Sequence, residues 1–239
     1  MGSKYAQFAP RRAIRAARIL AADPDDLPQV FTIIESLSGN TLHRLWKRLT
    51  RTDGGRRILA NRPDIVTLLA DRPSLAKLPE GSLGRAYLAF VEREKISAEG
   101  IREAGKKGMT NEMPLSDPYD YIHARMRDVH DLWHAAVGYH GDVLGETALL
   151  AFTFAQTQNP AIALIIGIGL FKTIGAPTAR AVIIDGFRRG RAAAWLPAQE
   201  WETLLALPLT EVRRRLSLEE APVYTQIRSA ELKAQRAMA

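Results

Sequence analysis

Cysteine is absent from the 239 residues. That excludes disulfide staples and thiolate metal sites, and it leaves histidine and carboxylate as the strong ligand types, compatible with a reducing cytoplasm. Strict polar–apolar alternation is also missing, so half-buried strands are not expected. No apolar run reaches the roughly 20 residues that a bilayer-spanning helix needs, and no apolar core of secretory-signal length opens the chain. The N-terminus lacks acids: Lys4, Arg11, Arg12, Arg15 and Arg18 precede the first one, Asp23. Internal repeats, low-complexity tracts, zinc fingers, DNA-binding helix-turn-helix patterns and aromatic-interleaved RNA-binding signatures are not found. Nucleic acid is therefore not expected as a partner.

What is present reads as helix. Apolar residues recur at i, i+3 and i+4, as at Ile65, Leu68 and Leu69, or Leu83, Tyr87, Phe90 and Val91. With 46% hydrophobic and 25% charged residues, the chain can bury one ordinary core. The expected fold class is all-α: a compact multi-helix bundle forming a single domain over residues 1–239. The longest loop is predicted over residues 105–117, GKKGMTNEMPLSD, where a subdivision is most natural.

Two further features suggest a surface and an interior. Basic clusters occur at Arg44, Lys47, Arg48, Arg51, Arg56 and Arg57, and again at Arg188, Arg189, Arg191 and Arg213 to Arg215. Such clusters attract anionic lipid or acidic protein. Residues 10–23, PRRAIRAARILAAD, are expected to form an interfacial helix with Ile14, Ala17, Ile19 and Leu20 near one side, and residues 1–23 a membrane-contact element. Between Thr147 and Ala176 the only strongly polar side chains are Gln156, Gln158, Asn159 and Lys172. Both pieces of this stretch are too short to cross a bilayer; they are expected to be buried helices or the walls of a hydrophobic tunnel. Gly167 and Gly169 weaken the second piece by up to about 1 kcal/mol each relative to alanine, which predicts a close neighbour there.

The chemistry concentrates in residues 130–146, HDLWHAAVGYHGDVLGE. His130 and His134 project from one helix face, one turn apart. On a straight helix Glu146 would lie about 24 Å from His130. Gly138, Gly141 and Gly145 supply places for a turn that returns it. Two imidazoles with the carboxylates of Asp131 and Glu146 suit zinc, iron or manganese. The pattern differs from the protease motif HExxH, whose second residue is a glutamate base. It also lacks the distant ligands of HD-type phosphohydrolases. His123 and Arg127 continue the histidine stripe, and the arginine's planar fork suits a substrate carboxylate or phosphate.

HDxxH, eleven residues and a glutamate closing LGE resemble the signature of the ubiquinone (coenzyme Q) biosynthesis protein 4 family. LPEGSLGRAYLAFVERE (78–94) and DPYDYIHARMRDVHD (117–131) are similar to its upstream blocks. RRGRAAAWLPAQEWETLLALPLTEVRRRL (188–216) resembles the end of bacterial members. The resemblance covers most of residues 63–216 and implies His130, Asp131, His134 and Glu146 as metal-binding and catalytic residues, with zinc first and iron or manganese next. It implies a polyprenylated quinone precursor as ligand, contacted by His123, Arg127, Phe152 and Ile165. It also implies a homo-oligomer, peripheral on the cytoplasmic side of a bacterial inner membrane, working with other ubiquinone biosynthesis proteins. The implied activity is oxidative decarboxylation of the ring. A lipid-presenting scaffold is the implied alternative, and hydrolysis of an isoprenoid phosphate is a third reading of the metal site.

Overall fold

In a computed structural model, residues 8–108 and 115–231 are described. Among them the chain forms fifteen α-helices, one 3-10 turn and no strand, with an isolated antiparallel bridge between Ser82 and Pro208. The helices are α1 (Pro10–Ala22), α2 (Leu27–Leu37), α3 (Thr41–Leu49), α4 (Asp53–Asn61), α5 (Ile65–Ala70), α6 (Arg72–Ala76), α7 (Leu83–Glu94) and α8 (Ala98–Gly108). After the undescribed residues 109–114 come α9 (Tyr119–Asp128), α10 (His130–Val137), α11 (Val143–Thr157), α12 (Pro160–Lys172) and α13 (Pro177–Ala192). The 3-10 turn Leu196–Ala198, α14 (Trp201–Leu204) and α15 (Leu209–Arg215) follow, and residues 218–228 carry no helix. Helix α8 extends to Gly108, so the first residues of the expected 105–117 loop are helical; positions 109–114 lie outside the described residues.

The helix starts are written in short polar side chains. Ser82 accepts from the Arg85 amide at the start of α7, Asp142 from Leu144 and Gly145 at α11, and Asn159 from Ala161 at α12. Each satisfies a backbone N–H that the helix leaves unpaired, worth typically ~1 kcal/mol. At its other end α10 stops at Gly138, whose φ of 97° is readily available only to glycine.

Helices α7, α10 and α11 enclose the main core, in which Leu83, Tyr87, Phe90, Leu132, Trp133, Leu149, Phe152 and Trp201 are all buried. Truncating a fully buried leucine such as Leu132 to alanine costs about 2–5 kcal/mol. Packing also joins the parts on either side of residues 105–117: α2 lies on α8 and α12, α3 on α9, and α7 on α10.

The apolar stretch forms two closely packed helices, α11 and α12. Helix α11 meets α13 at backbone distance, because a Cβ on Gly186 would lie 2.3 Å from the Ala148 carbonyl oxygen and one on Gly190 2.5 Å from that of Phe152. Phe152 is fully buried edge-on to Trp133, and Ile165 packs with Ala16, Leu20 and Ile33. Both residues are thus buried among the helices of the core. Two surface hollows of about 430 and 300 Å³ lie elsewhere, around Arg72 and Ile96 and around Thr52 and Trp195. The close neighbour predicted for Gly169 is Thr147, whereas Gly167 faces open space.

Two charge expectations also change. Helix α1 buries Ala13, Ala16 and Leu20, and Ile14 and Ile19 point outward instead of sharing that face. In the C-terminal cluster, Arg189 is buried and donates to the carbonyls of Val137 and Glu220, while Arg213 donates to that of Ala136. These cations close the C-terminal end of α10, where helix carbonyls lack partners and the dipole favours positive charge.

Candidate metal centre

The bend at residues 138–142 brings α11 back against α10, and Glu146 in the first turn of α11 faces both histidines. His130 Nε2 lies 3.2 Å from Glu146 Oε2, and His134 Nε2 lies 3.1 Å from Glu146 Oε1. One ligand atom from each of the three lies within 4.8 Å of the others. Ligands sharing one tetrahedral ion at bonds of ~2.0–2.2 Å stand about 3.5 Å apart, so this spacing suits a single ion after small adjustments.

The ring nitrogens are differentiated. His134 Nδ1 is 3.0 Å from the Tyr139 carbonyl oxygen, which only accepts; the ring therefore carries its proton on Nδ1 and, when neutral, directs a lone pair from Nε2. A backbone carbonyl holding the outer nitrogen is the usual way in which proteins fix the tautomer of a metal-ligating histidine. The approach of Glu146 Oε1 is off the hydrogen-bond direction, so His134 Nε2 remains a buried nitrogen without an aligned partner. An orphaned, lone-pair-bearing nitrogen beside a second imidazole and a carboxylate fits a divalent metal. Phe90 stacks on His134 with ring centroids 4.9 Å apart and fixes the ring plane.

Electrostatics support the same arrangement. Desolvation alone would raise the Glu146 carboxyl pKa, but the adjoining charges of His134 and His130 and the hydrogen bond with His130 outweigh it and hold the carboxyl well below the ordinary range. Burial likewise opposes protonation of His134, and Glu146, Asp131 and the Tyr139 carbonyl raise its proton affinity above the ordinary value.

Of the four residues expected as ligands, three converge. Asp131 is buried and feels the charges of both histidines and Glu146, but it does not join the cluster. Neighbouring residues on a helix diverge by about 100°, so Asp131 cannot share the face of His130 and His134. Burial pushes its carboxyl upward. The continuation of the stripe also divides. Arg127 pairs with Asp128 and lies beside Gly105 of α8, and His123 feels Glu35 of α2. Their environment is thus α2 and α8, not the Glu146 side.

Residues that pattern reading missed are Tyr139, Phe90 and Asp142. Asp142 carried a usable signal, an acid directly before a helix start. Tyr139 acts through its backbone and Phe90 through a distant helix, so neither had one.

Comparisons with known proteins identify the family. The family model described as "Coenzyme Q (ubiquinone) biosynthesis protein Coq4" matches residues 9–222. The mitochondrial ubiquinone biosynthesis protein coq4 of Aspergillus terreus is 31% identical over 195 residues, covering 78% of this chain and 63% of its own. The corresponding protein of Phaeosphaeria nodorum is 31% identical over 198 residues, covering 82% and 66%. The chain thus spans just under two thirds of the length of these curated relatives. A crystal structure of a protein from Nostoc punctiforme PCC 73102, described there in terms of ubiquinone biosynthesis, shares the fold with a TM-score of 0.64 at 24% identity, over 90% of this chain and 100% of that one. Matched along nearly its whole described length and 31% identical to curated members, the chain belongs to the Coq4 family of coenzyme Q (ubiquinone) biosynthesis proteins.

Proposed function

We propose that the chain is a metal-dependent enzyme of ubiquinone synthesis that replaces the ring carboxylate of a polyprenylated hydroxybenzoate with a hydroxyl. The observation that carries this reading is that, among the described residues, three potential ligands converge, His130, His134 and Glu146. Structural zinc sites are usually closed by four, whereas catalytic sites keep a position open. In the overall change the carbon–carbon bond to the carboxylate breaks and carbon dioxide leaves. Water supplies the new hydroxyl oxygen, and two electrons and a proton pass to an external acceptor. A bound zinc would supply Lewis acidity to the carboxylate or phenolate, and iron or manganese would add redox chemistry.

The chain's own residues have separable parts. His134, locked between Phe90 and the Tyr139 carbonyl, gives a fixed point. Glu146, with 39% of its side chain exposed, opens the site outward. Arg93, on the same helix as Phe90, holds its guanidinium 5.5 Å from that ring's centroid and is 48% exposed. It is therefore better placed than Arg127 to meet the carboxylate of an incoming ring.

The same reading places the lipid partner at a membrane surface. Among the described residues no helix is long and apolar enough to cross a membrane. However, Phe171 and Ile174 are 72% and 63% exposed at the end of α12 that leads into α13, beside the exposed Lys172 and Arg180, and Ile184 further along α13 is 54% exposed. On α1, which packs on α12, Ile14 and Ile19 are exposed with Arg11, Arg15 and Arg18. Apolar side chains ringed by cations suit anionic lipid.

The test is single-turnover conversion of a carboxylated polyprenyl phenol by protein loaded with zinc, iron or manganese in turn, with His134→Ala as control and a two-electron acceptor present. Metal-dependent product that disappears in the variant is the expected result. Tight binding of lipid and metal without conversion would replace this reading with the lipid-presenting scaffold.

A further inference from the structure

Residues 218–228 run without helix along the α10–α11 bend, and their polar contacts converge on the hinge between the two ligand-bearing helices. Tyr224 Oη donates to Asp142 Oδ2 at 2.8 Å and accepts from the His140 amide at 3.0 Å, so one hydroxyl ties both halves of the bend. The Ile227 amide donates to Asp142 Oδ1 at 2.9 Å, and the Ile227 carbonyl accepts from Val143 at 3.0 Å. Arg228 donates to the buried carboxylate of Glu94 at 2.6 Å, against which Gly141 packs. Upstream, Ala221 lies so close to Gly138 that a Cβ there would stand 2.5 Å from it.

Asp142 is the focus. It is 1% exposed and accepts from four donors, two from the first turn of α11 and two from the C-terminal segment. Four residues of a helix rise about 6 Å, so Asp142 and Glu146 stand about one turn apart at one helix start. Gly145 makes the fit: a Cβ there would meet Tyr224 Oη at 2.3 Å and the His140 carbonyl at 2.2 Å. The matched family region ends at residue 222, before Tyr224, Ile227 and Arg228.

We infer that residues 218–228 are a strap that sets the α10–α11 bend so that Glu146 faces His130 and His134, with Tyr224 and Arg228 as positioning residues for metal binding. This rests on the metal reading of the site. The covalent bend alone contains Gly138 and Gly141 and leaves the angle between α10 and α11 soft. The strap binds both sides of the bend at once and removes that freedom before an ion arrives, which is the role of supporting contacts around metal ligands.

The test is titration of metal-free full-length protein with zinc and manganese against a competing chromophoric chelator, for wild type, Tyr224→Phe, Arg228→Gln and Arg57→Gln. Tyr224→Phe and Arg228→Gln should each weaken affinity by about 10-fold or more, with partial recovery in Arg228→Lys. Arg57→Gln removes an exposed bridge from α4 to Glu200, outside the strap, and should leave affinity unchanged, as a merely stabilising strap would for all variants. Binding and strap order are linked reciprocally. Metal added to wild type should therefore slow hydrogen exchange at the Val143 and Ile227 amides, a readout that needs no variant to fold. Wild-type affinity in both strap variants, or unchanged exchange at those amides with metal bound, would overturn the strap. Wild type that takes up neither ion would overturn the metal reading and the strap with it.

Discussion

His123 on α9 and His134 on α10 stand eleven residues apart on consecutive helices and have opposite surroundings. Around His134, Glu146, Asp131 and the Tyr139 carbonyl overcome burial and raise its affinity for a positive charge. Around His123, burial comes first and the Arg127 guanidinium second; together they push its pKa down to about 4. The one is prepared for a proton or a metal ion, and the other is kept as a neutral ring against α2. A buried histidine therefore says little by itself: the sign of its nearest charges separates a ligand from a packing residue.

The sharpest way to break that contrast is to remove the charge on the ligand side. Glu146→Gln keeps the shape of a partly exposed side chain and deletes the anionic ligand. Metal affinity should fall by at least about 100-fold, beyond the range for outer-shell partners, in titration with a competing chelator, while circular dichroism stays unchanged.

A smaller effect tests the other side. A folded pKa near 4 against an ordinary 6.5 means that between these values the unfolded chain binds a proton at His123 and the folded chain does not. Stability is therefore lost as pH falls from about 6.5 toward 4. His123→Gln should flatten this acid limb by on the order of 1–2 kcal/mol, allowing for screening of a partly exposed ring, in urea unfolding at pH 4.5 and 7. An identical pH dependence in the variant would show that His123 does not set it.

The smallest effect on the fold is expected far from both histidines. Phe171→Glu with Ile174→Glu alters side chains 72% and 63% exposed and should shift stability by no more than about 0.5 kcal/mol per site. Binding to anionic vesicles, followed by co-sedimentation, should drop severalfold. Undiminished binding would remove this end of α12 from the membrane contact.

Much of the site was legible along the chain, because its geometry is local. A four-residue spacing puts His130 and His134 on one helix face, and glycine at 138 permits the positive φ that ends α10. Local rules also contain the reason why Asp131 stands apart, since adjacent residues diverge around a helix. The facing of His123 and Arg127 was not legible, because a stripe is continuous only while its helix is; the turn at Val129 separates α9 from α10. The contact of α11 with α13 was not legible for a related reason. Apolar composition is the same whether helices surround a cavity or touch, and the touching glycines Gly186 and Gly190 are recognised only once α11 lies against α13.

The sequence by itself determined the helical class, the histidine pair on one helix face and the bend that returns a carboxylate, since these follow from periodicity, side-chain type and backbone freedom within a few residues. Only the tertiary structure decided which carboxylate converges on the histidines, that Tyr139 and Phe90 orient His134, and that Tyr224 and Arg228 hold the bend from more than eighty residues downstream. Such contacts depend on which surfaces remain to be buried after the local elements form, and that choice is made by the packing of the whole chain.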